Sequence, residues 1–262
     1  MLFRSAERAR LDADLQRSRD LLTQTAPAIV NAKLRSESVV VVAERGVDEA
    51  TVRSTAQTIR DAGADAPVVV WLEAKWLLDS EARIRDLGKA VGSTETDSAA
   101  LRAAALARLA VRLRSDDPSK TDDLLVRLAS TGFITVESLR SIPLETPLSF
   151  PGAAGRALAI VGLGSELGTS QITTAIGTSL AQSGLETVTA ELDPNPDDNT
   201  KRGSLLGPLI DNAATGATVG TVDTLDLIEG RLATVFALVE AGRGRGVHLG
   251  YGPGASAALP AP

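Results

Sequence analysis

The chain has no cysteine, one histidine (His248) and one methionine (Met1) among its 262 residues. Thiolate is the nucleophile of cysteine enzymes and a ligand of structural zinc, so both chemistries are excluded. Soft metal ions favour thiolate and thioether, and one thioether at the first residue is a poor offer. Hard metals held by carboxylates remain open. A Ser-His-Asp triad has only His248 to draw on, in a glycine-rich stretch near the C-terminus. A general base must be held rigidly at hydrogen-bond distance, which such a stretch serves poorly. Aromatic residues make up only 3% of the chain, so the core falls to Ala, Val, Leu and Ile. No run approaches the ~18–20 apolar residues of a membrane span. The longest, 39–43 and 68–72, are strand-sized. The first ten residues lead into charge rather than an apolar segment, so no signal peptide is expected there. The absence of cysteine fits an oxidising or a reducing compartment equally.

What is present is a chain with 44% hydrophobic residues, enough for one sizeable core. Its net charge of -6 argues against nucleic acid as a partner. The N-terminal segment reads as one helix. Leu11, Leu15, Ser18, Leu22, Thr25 and Ile29 follow the four-three spacing of a coiled-coil seam. Leu11, Leu15, Leu22 and Ile29 are therefore the candidate interface residues. The same stripe also suits an amphipathic helix packed on its own domain.

Next comes a β-α-β unit. Residues 38–43 form an unbroken β-branched run, as in a strand buried on both faces. Asp48 suits the N-cap of a helix through Val52, Ala56 and Ile59, which Gly63 stops. A second buried strand follows at 68–72. A crossover helix between two such strands implies parallel pairing. Asp97 is placed to cap a helix through Leu101, Ala105, Leu109 and Leu113. Ser119 and Asp122 resemble a capping box before Leu124, Leu125 and Leu128. A short strand is expected at 133–136. Residues 141–156, with Pro143, Pro147 and Pro151, read as a linker or surface loop. A second β-α-β unit spans strand 157–161, helix 171–183 and strand 187–192. A last strand is placed at 218–222. The Asp226/Glu229 pair reads as a cap before Leu232, Val235 and Phe236. The organisation is a coiled-coil arm over 1–35, an α/β domain over 36–242 and a flexible Gly/Pro-rich tail over 243–262. The fold class is α/β, with a mainly parallel sheet flanked by helices and an N-terminal coiled-coil helix.

Several groups invite a chemical reading. Gly162, Gly164 and Gly168 lie between a strand and a helix, where a dinucleotide fingerprint belongs. The spacing is G-x-G-x-x-x-G, Glu166 adds negative charge, and no Gly-Lys-Ser/Thr follows, so a tight turn is expected, with a nucleotide-binding enzyme as a minor alternative. Asp193, Asp197 and Asp198 read as a solvated acidic loop, since EF-hand spacing is absent. Asp223, Asp226 and Arg231 form a compact set in which capping already explains Asp226. His248 and Tyr251 sit among glycines; a lone histidine there could bind a divalent ion weakly, but His248 is expected simply to be exposed. No catalytic residue, metal site or cofactor is expected.

A resemblance runs through the C-terminal third. Thr221-Val222-Asp223-Thr224-Leu225-Asp226, then Gly230-Arg231, Val235-Phe236-Ala237-Leu238 and Gly250-Tyr251-Gly252-Pro253-Gly254 resemble the actinobacterial copper transporter family. The island Thr131-Gly132-Phe133-Ile134-Thr135 matches as well. Asp223, Asp226, Gly230, Arg231 and Tyr251 are the residues of this motif. The resemblance implies an N-terminal transmembrane helix, a coiled coil and an extracytoplasmic α/β domain, with this chain beginning at the coiled coil. It implies a cell-envelope location, a part in copper homeostasis or efflux, and no enzymatic activity. It also implies homo- or hetero-oligomers through the coiled coil. Relatives tied to cell division, acting through an envelope partner, make a scaffold role the alternative.

Overall fold

A computed structural model describes residues 2–66, 68–115, 123–139, 154–193 and 200–258. Its centre follows from the valine runs. Strands β1 (Val39–Glu44), β2 (Val68–Leu72) and β4 (Arg156–Gly162) are buried at every residue. Strands with both faces covered need no alternation, which is why these segments read as continuous apolar runs. With β3 (Ile134–Ser138), β5 (Glu186–Leu192), β6 (Gly220–Val222) and β7 (His248–Leu249) they form a seven-stranded sheet in the order β3-β2-β1-β4-β5-β6-β7. All pairings are parallel except β2 with β3. The register is continuous at the centre, from Val39 opposite Arg156 to Ala43 opposite Ile160.

Alternate residues of each strand feed two cores. On one face Val39, Val41 and Ala43 pack with helices α1 (Leu2–Val30), α2 (Glu49–Asp61) and α8 (Ile228–Ala241). On the other, Val40 and Val42 pack with α3 (Glu81–Val91), α4 (Ser98–Arg114), α5 (Leu124–Ser130) and α6 (Ser170–Gln182). A short turn of helix, α7 (Gly207–Ile210), precedes β6. Caps set the helix starts. Asp48 accepts from the N–H groups of Ala50 and Thr51, and Asp97 from that of Ala100. Gly63, at φ 91°, follows α2 in the left-handed region, as its placement as a helix stop requires.

Five expectations need correction or limits. The docked face of α1 is not the seam read from the spacing. Ala26 and Val30 are buried in the core, with Leu34 beyond the helix, and Leu22 packs beside them. Leu11 and Leu15 stay 63% and 47% exposed, and Ile29 is 37% exposed. A single helix turns 3.6 residues at a time, so a stripe built on a 3.5 repeat drifts away from a straight packing face. Arg19 adds an ion pair to Glu229 of α8 at 3.7 Å. Asp226 does not cap α8. That helix starts at Ile228 after Leu227, with no side-chain cap. The capping box at Ser119 and Asp122 lies outside the described residues, and Asp123 caps α5 instead. The linker over 141–156 falls largely outside them too, but its last residue, Arg156, is the first of β4. Finally, the sheet runs on into the segment assigned to a flexible tail. β7 pairs with β6, and Leu249 bridges to Ala257.

Candidate functional site

Three of the parallel strands that end along one edge of the sheet, β1, β5 and β6, end on or beside an acid. Glu44 closes β1, Glu191 sits one residue before the end of β5, Asp193 follows it, and Asp223 follows β6. Glu44 is fully buried. Its Oε2 accepts from the Gly162 N–H at 3.0 Å and the Ser165 hydroxyl at 2.7 Å. Among the described residues its Oε1 has no hydrogen-bond partner. Burial pushes this carboxyl up to about 7, against the pull of those two donors. Glu191 is buried as well, and accepts from the N–H groups of Gly203 at 2.6 Å and Leu205 at 2.9 Å. Burial pushes it up to about 7, with Asp223 and Asp193 adding like charge.

Four of the five residues of the sequence motif, Asp223, Asp226, Gly230 and Tyr251, meet at this edge, and the structure gives each a task. The Asp223 carboxylate accepts from Tyr251 N–H at 2.9 Å and Gly252 N–H at 2.7 Å. Burial raises its pKa, and those donors together with Arg202 oppose the rise. A side chain at Gly250 (φ 140°) would overlap the Asp223 carboxylate, so glycine is required there. Arg202, only 1% exposed, donates to the Asp223 carbonyl at 2.8 Å and grips both oxygens of Asp226, at 2.8 and 3.2 Å. Burial opposes its charge, but Asp226, with Asp193 and Asp223, outweighs burial and holds the guanidinium above its ordinary value. Gly230 lets the first turn of α8 rest on the Thr224 carbonyl, where a Cβ would overlap the oxygen. Tyr251 is fixed by its backbone N–H, while the residue as a whole stays 57% exposed.

The compact set of Asp223, Asp226 and Arg231 is only partly assembled. Arg231 faces away, donating to the Ser54 hydroxyl at 2.6 Å and so tying α8 to α2. Burial lowers its pKa. Arg202 takes the place expected of it. No local spacing marks Arg202, because its partners lie 21 and 24 residues further along. His248 is half-buried rather than exposed. Its Nδ1 lies 3.0 Å from Thr221 Oγ1 and its Nε2 3.1 Å from the Gly216 carbonyl, and burial lowers its pKa. The 162–168 loop is a tight turn. Gly168 packs where a Cβ would overlap the Gly162 carbonyl, and Glu44 fills the space a phosphate would need beside the Gly162 N–H. Asp193 is buried, and Asp197 and Asp198 lie outside the described residues.

A cleft of about 320 Å³ opens between these strand ends, with Asp48, Thr51, Gly162, Leu163, Asp193 and Asp226 among its walls. Among the described residues no three His, Cys, Asp or Glu side chains come together so as to hold a metal ion. None of the described helices is long and apolar enough to cross a membrane, which says nothing of a β-barrel.

The fold and this edge define an α/β protein whose motif residues knot the C-terminal segment onto β6 and α8. The chain belongs to the family described as copper transport outer membrane protein, MctB, whose family model matches residues 4–260. That places it among copper transport-related envelope proteins, in a transport-associated family rather than a known enzyme family. No curated protein matches the sequence.

Proposed function

We propose that the protein serves copper homeostasis or efflux in the cell envelope as a non-enzymatic, membrane-anchored component on the extracytoplasmic side. Copper is then the cargo of the system, and this chain acts by contact. The observation that carries the reading is family membership over 4–260 in a chain with one histidine, no cysteine and Met1 as its only methionine. His248, the one imidazole, has both ring nitrogens within hydrogen-bond distance of its own domain. Copper sites draw on imidazole, thiolate and thioether, so a protein of this composition contributes little ligation.

The contact surface in this reading is α1. Leu11 and Leu15 lie exposed on it and Ile29 less so, while Ala26 and Val30 secure the same helix to the domain. An apolar stripe held this way suits a coiled-coil partner, either a second copy or another envelope protein. The same stripe favours a second reading, a scaffold in envelope assembly or cell division that acts through that partner.

Copper tolerance in a host lacking the gene tests the first reading. His248→Ala is expected to restore tolerance as fully as the natural chain. Leu11→Glu with Leu15→Glu is expected to abolish restoration at unchanged protein level. Loss of tolerance in His248→Ala would overturn action by contact. Full restoration by the double variant would remove α1 as the contact surface. A division or envelope defect without any copper phenotype would select the scaffold reading.

A further inference from the structure

Helix α1 meets its own domain through a small and partly polar contact. Of the described side chains in this 29-residue helix, Ala26 and Val30 are buried and Leu22 packs beside them. Where α1 passes the start of α8, Arg19 faces Glu229 at 3.7 Å, an ion pair too long to be a hydrogen bond. Among the described residues, Arg19 Nε and Glu229 Oε2 are shut off from solvent with no hydrogen-bond partner. Each has given up water without replacing it, so this part of the contact holds α1 weakly. Lys33 adds its ammonium 5.9 Å from the Phe236 ring, at the outer limit of a cation–π contact.

The connection after α1 is strained at Ala32. Its φ of 58° lies in the left-handed region, which is costly for a residue with a Cβ. Beyond it the chain is pinned. Leu34 is buried, its N–H donates to the Ala62 carbonyl at 2.8 Å, and the Ser36 N–H donates to the Gly63 carbonyl at 3.3 Å. The strained residue therefore sits between a loosely held helix and a fixed anchor, where a hinge belongs.

The coiled-coil seam and the docked face share a residue. Leu22 belongs to the series Leu11, Leu15, Ser18, Leu22, Thr25, Ile29 and also packs on the domain core. Each knob of a coiled coil must enter a hole on the facing helix, so docking interrupts the series at Leu22.

We infer that α1 is a releasable arm. Resting on α8 it is closed. Swung out about Ala32 it frees Leu22 and offers the whole seam from Leu11 to Ile29. This rests on the reading of α1 as the contact surface and adds its regulation: the partner competes with the chain's own domain for one helix.

Thiol labelling tests it, because the chain has no cysteine of its own. Three single-cysteine variants of the full chain are treated with N-ethylmaleimide under native conditions. Ala26→Cys lies on the docked face, Ser18→Cys on the exposed face, and Ala233→Cys is fully buried in α8. Thermal melting confirms each fold, and Ala237→Cys on the same helix replaces Ala233→Cys if that variant melts low. Ala26→Cys is expected to react about 100-fold faster than Ala233→Cys and at least about tenfold slower than Ser18→Cys. Urea at about 1 M is expected to speed Ala233→Cys severalfold and to leave Ala26→Cys nearly unchanged, because releasing one helix exposes little surface. Ala32→Gly adopts the left-handed conformation without strain, and is expected to slow labelling of Ala26→Cys by roughly three- to tenfold. The inference is overturned if Ala26→Cys reacts no faster than Ala233→Cys, or responds as steeply to urea, since α1 then leaves only when the domain unfolds. It is overturned as well if Ala26→Cys reacts as fast as Ser18→Cys, which leaves no closed state, or if Ala32→Gly does not slow it. Labelling is read on the purified chain and copper tolerance in the host, so failure of the arm and failure of the contact reading are told apart.

Discussion

Thermal stability is expected to rise as the protein is acidified from about pH 8 to about pH 5.5. Glu44 and Glu191 are the cause. Burial pushes each from 4.5 in the unfolded chain to about 7 in the fold. Between those values the native protein holds protons that the unfolded chain has released. Their stabilising effect is therefore complete below about pH 4.5 and is lost as the pH rises through about 7. The size is roughly 3 kcal/mol for each group at alkaline pH. His248 opposes them, because burial lowers its pKa and charging it favours the unfolded chain as the pH falls below 6.5. One histidine against two carboxyls leaves the balance with the acids. Asp48 and Glu137 are held low, so their contributions are lost only at more acidic pH. Glu44→Gln isolates the effect. The amide keeps an acceptor for Gly162 and Ser165 and removes the buried charge. At about pH 8 it is expected to gain roughly 1–3 kcal/mol over the natural chain, with little gain at about pH 5.5. Melting temperatures at the two pH values check this. A natural chain more stable at alkaline pH, with Glu44→Gln unchanged in profile, would contradict it.

The second large effect is expected at Gly230. A Cβ there overlaps the Thr224 carbonyl and crowds the Leu225 N–H. Both contacts are backbone and both lie in the packed region under α8, so neither yields as a flexible side chain would. Gly230→Ala is expected to cost about 4 kcal/mol or to prevent folding. Gly244→Ala is the comparison. That glycine also has a positive φ, 72°, but nothing lies within 4 Å of the added carbon. Its cost is expected to be near 1 kcal/mol, from backbone strain alone. Urea unfolding separates the two. Equal costs would show that α8 does not rest on Thr224 as described.

The centre of the fold is legible because burial on both faces writes itself into the sequence. β2 occupies 68–72 as expected, and β1 and β4 each lie within a residue or so of their valine and alanine runs. Asp48 and Asp97 declare their helices because a cap is a local interaction. What escapes is non-local. Arg202 carries no periodicity, and its link to Asp226 exists only after β5 and β6 pair. The D-x-x-E reading of Asp226 fails for the same reason, since a buried arginine holds its carboxylate more strongly than helix N–H groups do. β7 hides in a Gly-rich stretch that composition marks as loose. Two paired residues and the hold of Asp223 on Tyr251 and Gly252 are enough to fix it. α3 goes unread because its apolar positions are few and Leu87, Ala90 and Val91 give a short stripe. The motif residues Asp223, Gly230 and Tyr251 were visible as a pattern, while the knot they tie was not.

The central claim is that a member of a copper-transport family acts without a copper site of its own in this chain. Calorimetric titration of the full chain with copper(I) and copper(II) tests it most directly. The expected result is no saturable binding tighter than about micromolar, because the one imidazole is already engaged and no thiolate exists. Tight one-to-one binding of either ion that His248→Ala abolishes would contradict it.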